Sequence, residues 1–237
     1  MTAIVGFAGA GYGLLAVDRN IVLRHPDGTE AILSSNGGKL HAGPGGFFAG
    51  AGKAELLANV ARRVKETTEP DAVARAMRAE RKIRYAKRRG VAPERSFGVL
   101  LRRTPSGPEV QVLRPEDGYR PEVVPPGRPL VTGPEAAEMR PLVGAFRLLF
   151  APTPGPESLA RNLDLLQMYF WLRHRLNPVI SADFDLAIVT GAIAEMSTRA
   201  NDFEKDPRHA EQIAAYLSEL GNAFGALASL VKGALPR

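Results

Sequence analysis

Short apolar runs separated by glycine-rich turns fill the first fifty residues: Ala3 to Phe7, Leu14 to Val17, Ile21 to Leu23, Ala31 to Leu33, Lys39 to His41 and Phe47 to Gly50. Runs this short and this closely spaced are what antiparallel hairpins require. The period then changes. Between Lys53 and Lys65, Leu56, Leu57, Val60 and Val64 recur at helical spacing, and a second helix is expected from Asp71 to Arg89 after the Glu69-Pro70 break. Pro70 suits a helix start, because the N–H it lacks is one that a first helical turn leaves unpaired anyway.

A second strand block follows over Phe97 to Arg102, Glu109 to Leu113, Tyr119 to Val124 and Pro129 to Thr132, punctuated by Thr104-Pro105-Ser106-Gly107-Pro108 and Pro125-Pro126-Gly127. Two more helices are predicted, one over Glu135 to Leu149 that Pro141 and Gly144 interrupt, the other over Glu157 to Leu176 with one strongly apolar face. Phe184 to Thr190 reads as a late strand with Ile193 to Met196 as its hairpin partner, and Arg208 to Val231 as a terminal helix. Strands, two helices, strands, two helices, strands, helix is not the alternation of a doubly wound parallel sheet. The order predicts an α+β fold in which two antiparallel sheets pack face to face with helices outside each, a four-layer sandwich.

Gly9-Ala10-Gly11-Tyr12-Gly13 after an apolar strand invites a dinucleotide-binding reading. That motif works by presenting a helix N-terminus to a pyrophosphate. Here the short run Leu14 to Asp18 follows, more strand-like than helical, so the glycines are expected to form a hairpin turn.

Composition narrows the chemistry. A chain of 237 residues with 45% hydrophobic content can bury a substantial core, and one domain over residues 1–237, closed by a C-terminal helix over about 207–232, is the simplest expectation. The absence of any cysteine excludes disulfides, thiolate chemistry and cysteine metal sites. His25, His41, His174 and His209 are scattered without metal-ligand spacing, so neither a metal nor another cofactor is expected. No run of about 18 apolar residues is present to span a membrane, and the N-terminus lacks a signal-type segment, which predicts a cytoplasmic protein. The net charge of +6 gathers at Arg75, Arg78, Arg81, Lys82, Arg84, Lys87, Arg88 and Arg89. Tyr85 is the one aromatic among them and no nucleic-acid motif accompanies them, so this segment reads as a solvated helix face or a subunit contact rather than a nucleic-acid site.

The candidate chemistry begins at the second residue. Removing Met1 leaves Thr2 at the head of an apolar strand, with a hydroxyl as latent nucleophile and an α-amine, of reference pKa near ~8, as its proton acceptor. Behind it come Leu14-Leu15-Ala16-Val17-Asp18-Arg19, then Asn36-Gly37-Gly38-Lys39-Leu40, then Phe47-Phe48-Ala49-Gly50-Ala51-Gly52-Lys53-Ala54-Glu55. In order and spacing this series resembles the N-terminal half of proteasome β-type subunits and of HslV, members of the N-terminal-nucleophile hydrolase superfamily, over roughly residues 2–60.

The resemblance implies the same four-layer sandwich and a threonine-dependent peptide hydrolase. It makes Thr2 the nucleophile and base, Lys39 the cation beside it, Asp18 the carboxylate that holds Lys39, and Gly50 the source of an oxyanion-stabilising N–H. Arg19 adds charge or serves structure. A peptide or protein substrate, a homo-oligomeric ring and an ATPase partner are further implications. Two departures leave alternatives open. Where the family carries a serine before its later helix, this chain has Thr132-Gly133-Pro134, and where it carries an Asp with a nearby serine, this chain has Asn177 to Asp183, with Asn177, Ser181 or Asp183 as substitutes. A noncatalytic paralogue with the same fold, or a small-molecule amidase, are the competing expectations.

Overall fold

A computed structural model of the chain describes residues 2–25, 27–87, 96–132, 143–144, 146–147, 149–150, 156–201, 203, 211 and 215. The expected terminal helix and most of the helix expected over 135–149 lie outside the described residues.

Two five-stranded antiparallel sheets form the body. The first has the order β10 (Leu130–Thr132), β1 (Ile4–Ala8), β2 (Tyr12–Asp18), β11 (Phe184–Thr190) and β12 (Ala194–Arg199). The second runs β5 (Leu40–Gly43), β6 (Gly46–Ala51), β7 (Phe97–Thr104), β8 (Gly107–Leu113) and β9 (Pro121–Val123). A separate hairpin, β3 (Ile21–Arg24) with β4 (Glu30–Ser34), connects them. Helices α1 (Ala54–Val64) and α2 (Pro70–Lys87) cover the second sheet, and α3 (Pro156–Leu176) covers the first.

Alternation along the strands explains the layers. In β1 and β2, Ile4, Leu15 and Val17 face the second sheet and pack on Leu40, Ala49, Val99, Leu101 and Val110. Their neighbours Val5, Phe7, Leu14 and Ala16 face outward, against Leu165, Leu166, Tyr169 and Phe170 of α3. Phe48 and Leu100 meet α1 and α2 through Leu56, Val60, Val73 and Met77. Every residue of β1 and β2 is buried, so these strands read as unbroken apolar runs rather than as an in–out alternation. The four-layer sandwich expected from the element order is the architecture observed.

The glycine-rich stretch after β1 is a hairpin turn, closed by the Gly9 N–H donating to the Tyr12 carbonyl at 2.9 Å, with Phe7 paired to Leu14 and Ile4 to Val17. The basic helix α2 spends several of its charges within the chain. Arg78 and Arg81 donate to the carbonyls of Gly118 and Pro115 at 3.0 and 2.9 Å, Arg81 lies over the Tyr119 ring, and Arg84 pairs with Glu55 at 2.6 Å. No described helix is long and apolar enough to cross a membrane.

Candidate functional site

The site forms where the start of β1, the end of β2 and the entry to β5 meet. Antiparallel pairing of β1 with β2 sets Asp18 beside the segment that leads from Thr2 into the sheet, and the Asp18 and Ala3 backbones are tied by a 3.1 Å hydrogen bond. Lys39 arrives from the other sheet. Its approach is fixed one turn earlier, where the Gly37 N–H donates to the Arg19 carbonyl at 3.0 Å. Only glycine fits there, since a Cβ on Gly37 would lie 2.3 Å from Ile21 Cγ1.

These elements bring Thr2, Asp18 and Lys39 together. Lys39 Nζ stands 3.2 Å from Thr2 Oγ1 and 3.1 and 3.0 Å from the two carboxylate oxygens of Asp18. Asp18 is fully buried and also accepts from the Ala3 N–H at 2.8 Å and the Asn20 N–H at 3.2 Å. Burial pushes the Asp18 carboxyl above its ordinary range, opposed by the Lys39 charge and by these donors. Burial likewise pushes the Lys39 ammonium below its ordinary range, opposed by Asp18. The bidentate contact and the converging donors favour the ion pair. Because burial weakens both charged forms, moving a proton across the pair costs less than it would between solvated groups.

Gly50 lies in β6, paired with Gly98, and lines the same cavity as Thr2. A Cβ at this position would sit 2.4 Å from Leu57 Cδ2, so any side chain here has to displace the Leu57 tip. The cavity is about 240 Å³ and is bounded by Thr2, Lys39, Gly50, Leu57 and Ile21 among others. Arg19 pairs through Nε with Asp185 at 3.3 Å. Among the described residues no cluster of His, Asp and Glu suits a metal ion.

Asn177 and Asp183 hold backbone groups of neighbouring segments. Asn177 Oδ1 accepts the Val179 N–H at 3.1 Å, Asp183 Oδ1 accepts the Asn201 N–H at 2.8 Å, and Ser181 is buried. Thr132 reaches back to the Ile4 carbonyl at 3.4 Å. The loop is joined to the site through Asn20, whose side-chain amide donates to the Val179 carbonyl at 3.0 Å while its backbone N–H holds Asp18.

Sequence reasoning missed three residues: Asn20, Asp185 and His41. Asp185 is buried, accepts from Thr198 Oγ1 at 2.9 Å and anchors Arg19, whose carbonyl holds the Gly37 turn. A signal for it was present. In Phe184-Asp185-Leu186-Ala187-Ile188-Val189, Asp185 shares the inter-sheet face with Ala187 and Val189, where an acid demands a partner. His41 lines the cavity and stacks on Phe48.

No protein-family model matches the chain, and a comparison with curated proteins finds no match. Among solved structures, the chain is similar to a Gly-1 mutant of Anbu from Hyphomicrobium sp. strain MC1, with a TM-score of 0.61 and 15% identity, over 94% of this chain and 96% of that one. This corrects the expectation of a proteasome β-type or HslV-like family member. The Anbu likeness is remote, and the order of apolar runs and glycine turns that suggested the assignment reports on backbone architecture, which diverged chains share. What stands is the fold: a four-layer sandwich of two antiparallel sheets, in a chain whose similarity to Anbu extends to the fold alone.

Proposed function

We propose that the protein is an amide hydrolase acting on peptides, with Thr2 as nucleophile once Met1 is removed. The observation that carries this reading is the single ammonium of Lys39, held by Asp18 and placed 3.2 Å from the Thr2 hydroxyl. A buried ion pair is costly to assemble and stabilises little by comparison with apolar packing, which makes one pointed at a hydroxyl a sign of chemistry rather than of stability alone.

In the first step Thr2 Oγ1 forms a bond to the substrate carbonyl carbon while the α-amine, directly or through a water, takes the hydroxyl proton. The carbonyl π electrons move onto oxygen, where the Gly50 N–H is the donor that stabilises them. Collapse of this intermediate breaks the C–N bond, and the proton passes to the departing amine. Water then attacks the resulting ester, releases the carboxylic acid and restores Thr2. Lys39 supports the step electrostatically, since a cation beside Thr2 favours the alkoxide-like oxygen and keeps the α-amine free of its proton. In this reading residues 1–237 act as one domain, and copies associate so that exposed apolar groups of the β3–β4 hairpin, Leu23, Ile32 and Leu33, are covered.

One observation favours a noncatalytic paralogue. The Oδ1 atoms of Asn177 and Asp183 are committed to backbone N–H groups, those of Val179 and Asn201, rather than to Thr2. Intact-mass measurement of the natural N-terminus, with peptide hydrolysis by wild type and Thr2→Ala, separates the two. The hydrolase reading expects Met1 to be absent and hydrolysis to vanish in Thr2→Ala with unchanged thermal stability. Retained Met1, or equal hydrolysis by both proteins, contradicts it.

A further inference from the structure

The cavity beside Thr2 has walls that hydrolysis alone does not require. At about 240 Å³ it is smaller than the ~300–1,000 Å³ typical of pockets that enclose a whole small ligand, and it suits one side chain. Ile21 and Val22 of β3 form one wall, and Ala54 and Leu57 of α1 the other. No Asp or Glu is among its lining residues, and its one ammonium is already engaged: Lys39 pairs with Asp18 at 3.0 Å, while the His41 ring stacks on Phe48 with centroids 6.5 Å apart. A basic side chain entering here would lose water and meet no counter-charge, and an acidic one would meet an ammonium that Asp18 already neutralises. An apolar side chain gains burial without either cost.

Leu57 ties the cavity to the reaction centre. Its tip packs directly over Gly50, where a Cβ would come within 2.4 Å of Leu57 Cδ2, and Gly50 and Thr2 border the same space. A side chain resting on Leu57 therefore has its own carbonyl within the region that Thr2 and Gly50 flank.

We propose that this cavity binds the neutral, apolar side chain of the residue whose carbonyl Thr2 attacks, and that Leu57 sets the size and charge it accepts. The inference rests on the hydrolase reading for the direction of the substrate, and its test does not depend on turnover. N-acetylated tripeptides ending in Leu, Phe, Lys or Asp, which are the acids such cleavage would release, are titrated into the full-length protein by calorimetry. The Leu peptide binds about tenfold or more tighter than the Lys and Asp peptides. Leu57→Ala shifts preference from Leu toward Phe, and Leu57→Asp shifts it toward Lys, with thermal melts confirming that each variant is folded. Should Leu57→Asp not fold, the Leu57→Ala shift decides. A ranking that is flat, that favours a charged residue, or that Leu57→Ala leaves unmoved overturns the proposal. If the ranking holds but the matching peptide amides are not hydrolysed, the hydrolase reading fails while the cavity's selectivity stands.

Discussion

Two polar regions are joined through one residue, Asn20, and are built on opposite principles. Around Asp18 and Lys39, side chains from two sheets converge, and every strong group points at another: carboxylate to ammonium, ammonium to the Thr2 hydroxyl. In the loop from Asn177 to Asp183, beyond Asn20, polar side chains accept from backbone N–H groups, Asn177 from Val179 within the loop and Asp183 from Asn201 after β12. The first arrangement pairs side chains with one another beside the Thr2 hydroxyl, the second pairs them with backbone N–H groups. Under the proposed mechanism the strand ends of the sandwich carry the reaction and the loop supports them, connected through the Asn20 hydrogen bonds to both Asp18 and Val179.

The largest effect is expected from breaking the convergent region. Lys39→Met leaves Asp18 charged, fully buried and without its counter-ion, which costs about 3–5 kcal/mol of stability in denaturant titration and removes hydrolysis. The double variant Lys39→Met with Asp18→Asn recovers part of that stability and none of the activity, because a neutral amide of nearly the same volume removes the uncompensated buried charge and still accepts from the Ala3 N–H.

Next is Asp185, which stands behind the convergent region. Asp185→Asn weakens the hold on Arg19 and thereby on the Gly37 turn that delivers Lys39. A stability loss of about 1–3 kcal/mol is expected, with hydrolysis reduced but not abolished. A loss as complete as that of Lys39→Met would place Asp185 in the reaction itself.

Within the loop the contrast predicts the reverse balance. Asn177→Ala removes the bond to the Val179 N–H and costs about 1 kcal/mol in thermal or chemical unfolding, while hydrolysis stays close to wild type. If Asn177→Ala or Asp183→Asn silences hydrolysis without unfolding, the loop belongs to the catalytic half and the division drawn above is wrong.

The smallest effect is a pH dependence. Burial, aided by the Lys65 charge and opposed by Asp185, holds the His41 imidazole below its ordinary value of 6.5. As pH falls, the unfolded chain therefore takes up this proton first. The contribution of neutral His41 to stability is complete above pH 6.5 and is lost as pH drops below that value toward the lower folded one. His41→Gln flattens this slope in unfolding midpoints measured from pH 7 downward.

How much of this was legible in the sequence depends on where side chains were doing the pairing. Phe184 to Thr190 was readable to its ends because all but the last residue of that strand are buried. Its partner β12 runs from Ala194 to Arg199, three residues beyond the predicted end at Met196. All of its side chains are exposed and its pairing is carried by the backbone, which leaves little apolar signal to count. The convergence of Asp18 and Lys39 was suggested by spacing along the chain, but distance between sheets is not a sequence quantity. Asp185 and Asn20 escaped notice because their importance is relational: one anchors Arg19, the other bridges a carboxylate to a carbonyl 159 positions away. The basic face of α2 was visible, whereas its engagement with the turn at Pro115 to Tyr119 required the fold.

The central claim is that the Thr2 hydroxyl, freed at the N-terminus, is the atom that takes up the acyl group. It is tested most directly by incubating the protein with a peptidyl β-lactone bearing an apolar side chain, then mapping the adduct by peptide mass spectrometry. The account predicts one acyl group, on an N-terminal peptide that begins with Thr2, and none in Thr2→Ala. An adduct elsewhere, or an unmodified peptide that still begins with Met1, would contradict it.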